Sequence, residues 1–256
     1  MIFDSHAHYD DEAFDEDREQ LLNSMQENGI GKIINVGASM KTSKASIDLS
    51  EKYDFIYSSV GVHPSETEEL NMDNLCLLRE YSKKPKVVAI GEIGLDYYYP
   101  TPDKEIQMEW FYKQLDLAVE TKLPVIIHSR DAAADTMNVL KEYQGKLTGG
   151  IIHCYSYSVE MAREFVKMGY YIGIGGVLTF KNAKKLKETA IEIPIEKIVV
   201  ETDCPYLSPV PNRGKRNSSI NLPYIIEELA KLKGISEEKV KEITYKNTMD
   251  LYRIKE

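Results

Sequence analysis

Eight short runs rich in β-branched residues alternate with amphipathic stretches along the whole chain, and this alternation narrows the available folds more than any other feature. The runs are Met1–His6, Lys32–Val36, Ile56–Val62, Val87–Glu92, Val125–His128, Gly150–His153, Tyr170–Ile174 and Lys197–Glu201. Helical periodicity covers about Glu12–Glu27, Lys41–Lys52, Met72–Tyr81, Pro102–Thr121, Ala132–Tyr143, Ser158–Met168, Lys181–Thr189, Ile220–Lys233 and Ser236–Asn247. Gly29, Gly169 and Gly234 mark helix ends, and Ser236 opens the last helix. Strands joined through helical crossovers form a parallel sheet. Eight such units in 256 residues predict an α/β fold, a closed (β/α)8 TIM barrel occupying 1–256 as a single domain. An open doubly wound sheet would usually carry a glycine-rich phosphate loop after its first strand, where this chain has His6-Ala7-His8.

The barrel prediction gives the histidines a common address. There are five, and each falls at the C-terminal end of an expected strand: His6 and His8 after the first, His63 after the third, His128 at the fifth and His153 at the sixth. In a barrel these ends meet on the face where active sites are built. Turns favour Gly, Pro, Asn, Asp and Ser, so ordinary turn chemistry does not account for the pattern. Side chains two apart on a strand project from one face, so His6 and His8 converge and can hold a metal ion. Glu92 ends the fourth strand among apolar and glycine residues, and Glu201 and Asp203 share a face of the eighth. Such carboxylates are costly to bury unless paired or metal-bound. Four histidines with Glu92 and Asp203 suffice for two divalent ions sharing a bridging carboxylate.

The net charge of −9 argues against a protein that coats nucleic acid through many cationic contacts, but it allows an enzyme holding a few phosphates in one pocket. No apolar run approaches the roughly 18 residues of a membrane span, and no signal-like segment opens the chain. The expectation is a cytoplasmic protein with no membrane association and no evident obligate protein partner. Cys76, Cys154 and Cys204 lack metal spacing and are expected as free thiols. Most of the 17 tyrosines are expected to pack helices against the barrel, although Tyr97-Tyr98-Tyr99 could stack on bases. Lys181, Lys184, Lys185 and Lys187 read as a solvated helix face.

The blocks DSHAHYDD, GVHP, AIGEIGLDYYY, IIHSRDA, IIHCYS, ETDCPYLSP and RGKRN, in that order, resemble the TatD family of metal-dependent deoxyribonucleases among the amidohydrolase-type barrels. The resemblance covers essentially the whole chain. It implies that His6, His8 and Asp203 bind one ion, His128 and His153 a second, and that Glu92 bridges them. It implies further that His63, Glu201 and Arg130 line the pocket and that Arg213, Lys215, Arg216 and Asn217 form a basic loop. The implied activity is hydrolysis of DNA, commonly from the 3′ end. The chain departs from the family at Ser218-Ser219, where Glu-Pro is frequent, and at Tyr157, where Gly is frequent. Both departures concern the substrate mouth.

The resulting expectation is a two-metal hydrolase in which activated water attacks a DNA phosphodiester. Asp203 orients that water or takes its proton, with Glu201 as the weaker candidate. Arg130 and the basic loop hold phosphate oxygens, and protonated His63 donates to one of them. Imidazole-rich ligation favours zinc or manganese, while the family resemblance includes magnesium. The alternatives are an amidohydrolase-type enzyme cleaving an amide or ester, such as an aminoacyl ester on tRNA, and a metal-stabilised binding protein without turnover.

Overall fold

In the computed structural model, which describes residues 1–255, eight parallel strands neighbour one another in chain order. They are β1 (Ile2–Ala7), β2 (Ile30–Val36), β3 (Ile56–Val60), β4 (Val87–Asp96), β5 (Val125–Arg130), β6 (Gly150–Ile152), β7 (Tyr170–Ile174) and β8 (Ile198–Val200). A parallel bridge between Ala7 and Cys204 brings β1 beside the segment after β8. Asp203 N–H donates to His6 O at 3.0 Å and His8 N–H to Cys204 O at 2.9 Å, which continues that closure. The result is the expected (β/α)8 barrel.

The helices are α1 (Arg18–Asn23), α2 (Met40–Lys52), α3 (Met72–Tyr81), α4 (Lys104–Thr121), α5 (Ala133–Glu142), α6 (Val159–Lys167), α7 (Lys184–Glu192), α8 (Leu222–Lys233) and α9 (Glu237–Tyr252). None is long and apolar enough to cross a membrane. The glycines expected at helix ends, Gly29, Gly169 and Gly234, all have positive φ. Ser236 caps α9, accepting from Lys239 N–H at 3.2 Å.

Three elements differ from the sequence reading. The helix expected over Glu12–Glu27 breaks into a 3-10 turn at Glu12–Phe14 and the short α1. Arg18 ties this segment down, donating to Tyr9 O at 2.5 Å and Asp11 O at 2.9 Å, with Phe14 buried beneath it. α9 runs five residues past its expected end because Met249, Leu251 and Tyr252 are buried, and Tyr252 donates its hydroxyl to Ser5 O at 2.9 Å. β4 continues past Glu92 to Asp96, pairing Gly94 with His128 and Asp96 with Arg130. Its register slips between Ile90 and Ile93, where three steps on β4 face two on β5. Such a bulge re-aims side chains beside a site.

The core has two parts. The larger apolar cluster packs helices against the outside of the sheet. The smaller contains Phe3, Ile34, Ala89, Ile126, Ile151 and Val199 together with Met249, Leu251 and Tyr252 of α9. Two residues along the same strands, and hence on the same face, come His128, His153 and Glu201. Each of these strands therefore plugs the barrel with an apolar residue and then presents a polar one at its upper end.

Two buried glutamines on α4 set the height of the rim. Gln114 accepts from Val62 N–H at 2.8 Å and donates to Val62 O at 3.0 Å. Gln107, two turns earlier on the same helix face, accepts from Asp96 N–H and donates to Asp96 O, both at 2.9 Å. Each amide imitates a strand neighbour for one residue beside the site. Replacing Gln114 by Leu strands both peptide groups of Val62, and at about 1–3 kcal/mol per unsatisfied group the expected destabilisation is about 2–6 kcal/mol. A urea denaturation midpoint measures it.

Candidate metal centre

At the carboxyl end of the barrel a cleft of about 900 Å³ is lined by His8, His63, His128 and His153, with His6 buried beside them. Glu92 lies at the centre. Its Oε2 is 3.4 Å from His6 Nε2 and 3.8 Å from His8 Nε2, and its Oε1 is 2.7 Å from His128 Nδ1, 2.9 Å from His153 Nε2 and 3.7 Å from His63 Nε2. Asp203 Oδ1 stands 3.7 Å from His6 Nε2 and 3.4 Å from His8 Nε2, which are 3.1 Å apart. Donors at about 2.1 Å from a central cation stand about 3.4 Å from one another, and His6, His8 and Asp203 form a compact group of possible ligands with that spacing.

Hydrogen bonds decide which imidazoles keep a lone pair for a metal. His8 Nδ1 lies 3.0 Å from Val36 O, a pure acceptor, so it carries the proton and leaves Nε2 available. His128 Nε2 lies 3.0 Å from Asp96 Oδ2, which leaves its Nδ1 facing Glu92. His63 differs, because its Nδ1 accepts from Ser65 N–H at 3.1 Å and the ring proton therefore sits on Nε2. His63 meets Glu92 and His128 in one cluster of possible ligands, but as a neutral ring it is a donor and not a ligand. Burial and the neighbouring His128 hold its pKa down at about 3. The expectation that His63 acts when protonated is corrected accordingly: it offers an N–H while neutral.

Glu201 is also repositioned. It is fully buried, lies outside the cleft lining, and accepts from Cys154 N–H at 2.5 Å. Its Oε1 is 3.7 Å from His153 Nδ1, and the His6 and His153 rings stack at 3.9 Å. A carboxylate behind an imidazole orients it and raises its basicity, and this buried position sets Glu201 apart from the cleft, where a proton from water would be met. Gly173 makes room for it, since a Cβ there would stand 2.6 Å from Glu201 Oε2. Among the described residues, His6 Nδ1, His153 Nδ1 and Glu201 Oε2 have no hydrogen-bond partner. Buried groups of this kind suit a polar cluster organised by cations.

The basic loop does not meet the cleft. Arg216 pairs with Asp17 through both guanidinium nitrogens, at 2.8 and 2.5 Å, and lies over the Phe14 ring. Arg213 lies over Phe180, and Asn217 is buried, donating to Thr202 O and Tyr206 O. Neither these residues nor Lys215 line the cleft, and Arg213, Lys215 and Arg216 are exposed beside it. Arg130 does line the cleft, over the Tyr98 ring at 3.7 Å.

Sequence reasoning missed two carboxylates. Asp96, four residues after Glu92, orients His128. Asp4 is buried and accepts from His6 N–H, Thr202 N–H, the Thr202 hydroxyl and the Ser219 hydroxyl, tying β1 to the segment that carries Asp203. Burial pushes the Asp4 carboxyl up to about 7 against the pull of these donors. The DSHAH spacing signalled Asp4. Ser219 lies in the departure from the family pattern, and its hydroxyl serves this anchor.

A parallel (β/α)8 barrel with histidines and carboxylates gathered at its carboxyl end belongs to the class that builds metal-assisted active sites there. The sequence profile of TatD related DNases matches residues 3–253, and the chain belongs to that family. It is 43% identical over 254 residues to YabD of Bacillus subtilis (strain 168), named a metal-dependent hydrolase, covering 99% of this chain and 100% of that one. It is 32% identical over 240 residues to the 3'-5' ssDNA/RNA exonuclease TatD of Cronobacter sakazakii, covering 91% and 90% of the two chains. The crystal structure of YjjV, a TatD homologue from Escherichia coli K12, superposes with a TM-score of 0.93 at 30% identity over 99% of this chain and 98% of that one.

Some of the imidazoles are held toward the protonated form, which cations must displace, whereas burial holds His6 and His63 toward the neutral ring. Burial works against charge on His8, but Asp203 and Glu92 outweigh it and push its pKa up to about 9. Burial is likewise outweighed at His153, where Glu92 and Glu201 hold the ring well above its ordinary value. The stability His8 gains from these partners is present in full below about pH 6.5 and lost as the pH rises through about 9. Metal binding requires the neutral ring, so zinc addition at pH 7 should release about two protons per chain. Calorimetric titration in buffers of different ionisation enthalpy counts them.

Proposed function

We propose that this protein is a metal-dependent hydrolase whose substrate bond is a DNA phosphodiester, cleaved from the 3′ end. The observation that carries the reading is the division of Glu92, with one oxygen toward His6 and His8, which Asp203 also approaches, and the other toward His128 and His153. These residues would hold two divalent ions, with Glu92 as the shared ligand. When bound, such a pair acidifies a water and neutralises charge building on phosphoryl oxygens. The names of YabD and of the Cronobacter exonuclease support hydrolysis and a nucleic-acid substrate, respectively.

The chain's own groups have distinct tasks. Asp203 borders the cleft, and although burial opposes its charge, the histidines hold its carboxyl below the ordinary range. It is therefore a carboxylate at working pH, able to orient a water or take its proton. His63 presents its Nε2–H to a phosphate oxygen without needing a second proton. Arg130 has no carboxylate partner among the described residues, which leaves its planar donors for a phosphate. Two imidazoles and two carboxylates around the first position suit zinc or manganese.

A second reading, hydrolysis of an ester or amide in a smaller substrate, is favoured by the presence of only two cationic side chains, Lys41 and Arg130, in the cleft lining. The deciding assay gives metal-stripped protein a single-stranded DNA bearing a label near its 3′ end, with magnesium, manganese or zinc added separately. Stepwise loss from that end is expected. Glu92→Ala, its fold checked by circular dichroism, should reduce the rate by at least about a hundredfold, the upper range for loss of a residue that merely supports a ligand. Absence of cleavage by protein carrying its metals would move the assignment to the smaller ester or amide.

A further inference from the structure

Because the strands follow chain order around the barrel, the loops after them divide the cleft rim into sectors. Asp10, Asp11 and Glu12 follow β1 and Glu66 follows β3, which makes that sector acidic, with Lys41 as its cation. Tyr99 after β4 and Arg130 at the end of β5 form a second sector, adjoined by Tyr98. Tyr98 and Tyr99 are 56% and 53% exposed, so both rings stay largely open to solvent, although Arg130 covers one face of Tyr98 and the two rings meet edge to face at 4.9 Å. After β7 and β8 the lining beyond Asp203 is Val177, Tyr206 and Leu207, without charge.

Resting on the deoxyribonuclease reading, we propose that the cleft takes one free end of a single strand, stacks its terminal base on the tyrosines after β4, and contacts no more than two phosphates, through His63 and Arg130. Two observations carry this. A strand extended across the β1–β3 sector would set its phosphates against four carboxylates, a repulsion that Lys41 in the lining and Arg18, tied to the Asp10 and Asp11 carbonyls, offset only in part. The arginines of the loop after β8 do not continue a phosphate track, being turned onto Phe180 and Asp17. Exposed tyrosines beside an unpaired guanidinium supply the base contact, since ring stacking and cation–π attraction accept any base.

The test compares kcat/KM for a thymidine dinucleotide and a single-stranded 20-mer across a series of salt concentrations, using metal-loaded wild-type protein. The expected values agree within about tenfold, and the slope of log kcat/KM against log salt is no steeper than about −1.4, the figure for two phosphates on a single strand. Tyr99→Ala should raise KM about tenfold for both substrates with kcat little changed. A 20-mer preferred by a hundredfold or more, with a slope near −3, would overturn the inference and leave the nuclease reading intact. An unchanged KM in Tyr99→Ala would overturn the stacking contact. Failure to cleave either DNA would overturn both readings together.

Discussion

The Glu92 carboxylate, held below the cleft between two groups of imidazoles, is the interaction on which the site depends. Burial alone would neutralise it, but the surrounding rings of His153, His63 and His128 outweigh that penalty and keep it ionised. The charge is affordable only because five strands deliver histidines or carboxylates to one height: β1 brings His6 and His8, β4 Glu92, β5 His128, while His153 and Asp203 follow β6 and β8. A parallel barrel does this naturally, since all strand ends face one way and each strand can finish an apolar run with a polar residue. The interior cluster around Ile126, Ile151 and Val199 and the site above it are successive layers of the same strands.

Much of this could be read in the sequence, for a physical reason. Strand periodicity and chain order are local properties, so the barrel and the convergence of five histidines follow from residue spacing alone. Long-range pairing is different. Nothing near Arg216 in the chain reveals that Asp17, 199 positions away, takes both its guanidinium nitrogens, so a basic loop reads as a phosphate site. Ser65 decides the tautomer of His63 through one backbone N–H, a geometric fact that residue identity does not encode. Glu201 shares a strand face with the ligands, but its depth in the barrel sets it behind His153 and away from solvent.

The supporting groups explain how the cluster keeps its shape. Asp96 behind His128, Glu201 behind His153, Val36 O behind His8 and Asp4 beneath the β1–β8 junction each fix one ring or strand end. Such outer groups turn a collection of donors into a site with defined lone-pair directions. Asp4 reaches the segment carrying Asp203 through Thr202 and Ser219, so a hydroxyl in the loop after β8 becomes part of the frame that holds a ligand on the far side of the closure.

Gln107 has a further consequence. It grips Asp96 O and also Pro102 O, each at 2.9 Å, so the segment from Tyr97 to Thr101 springs from two feet clamped to one helix. Its tip carries Tyr98 and Tyr99, while its mount carries the carboxylate that steers His128. A loop built in this way is an interchangeable head on a fixed base: substitutions at the tip can change what the mouth grips while the registration of the chemistry below is kept. The barrel can thereby diversify its substrates one rim segment at a time.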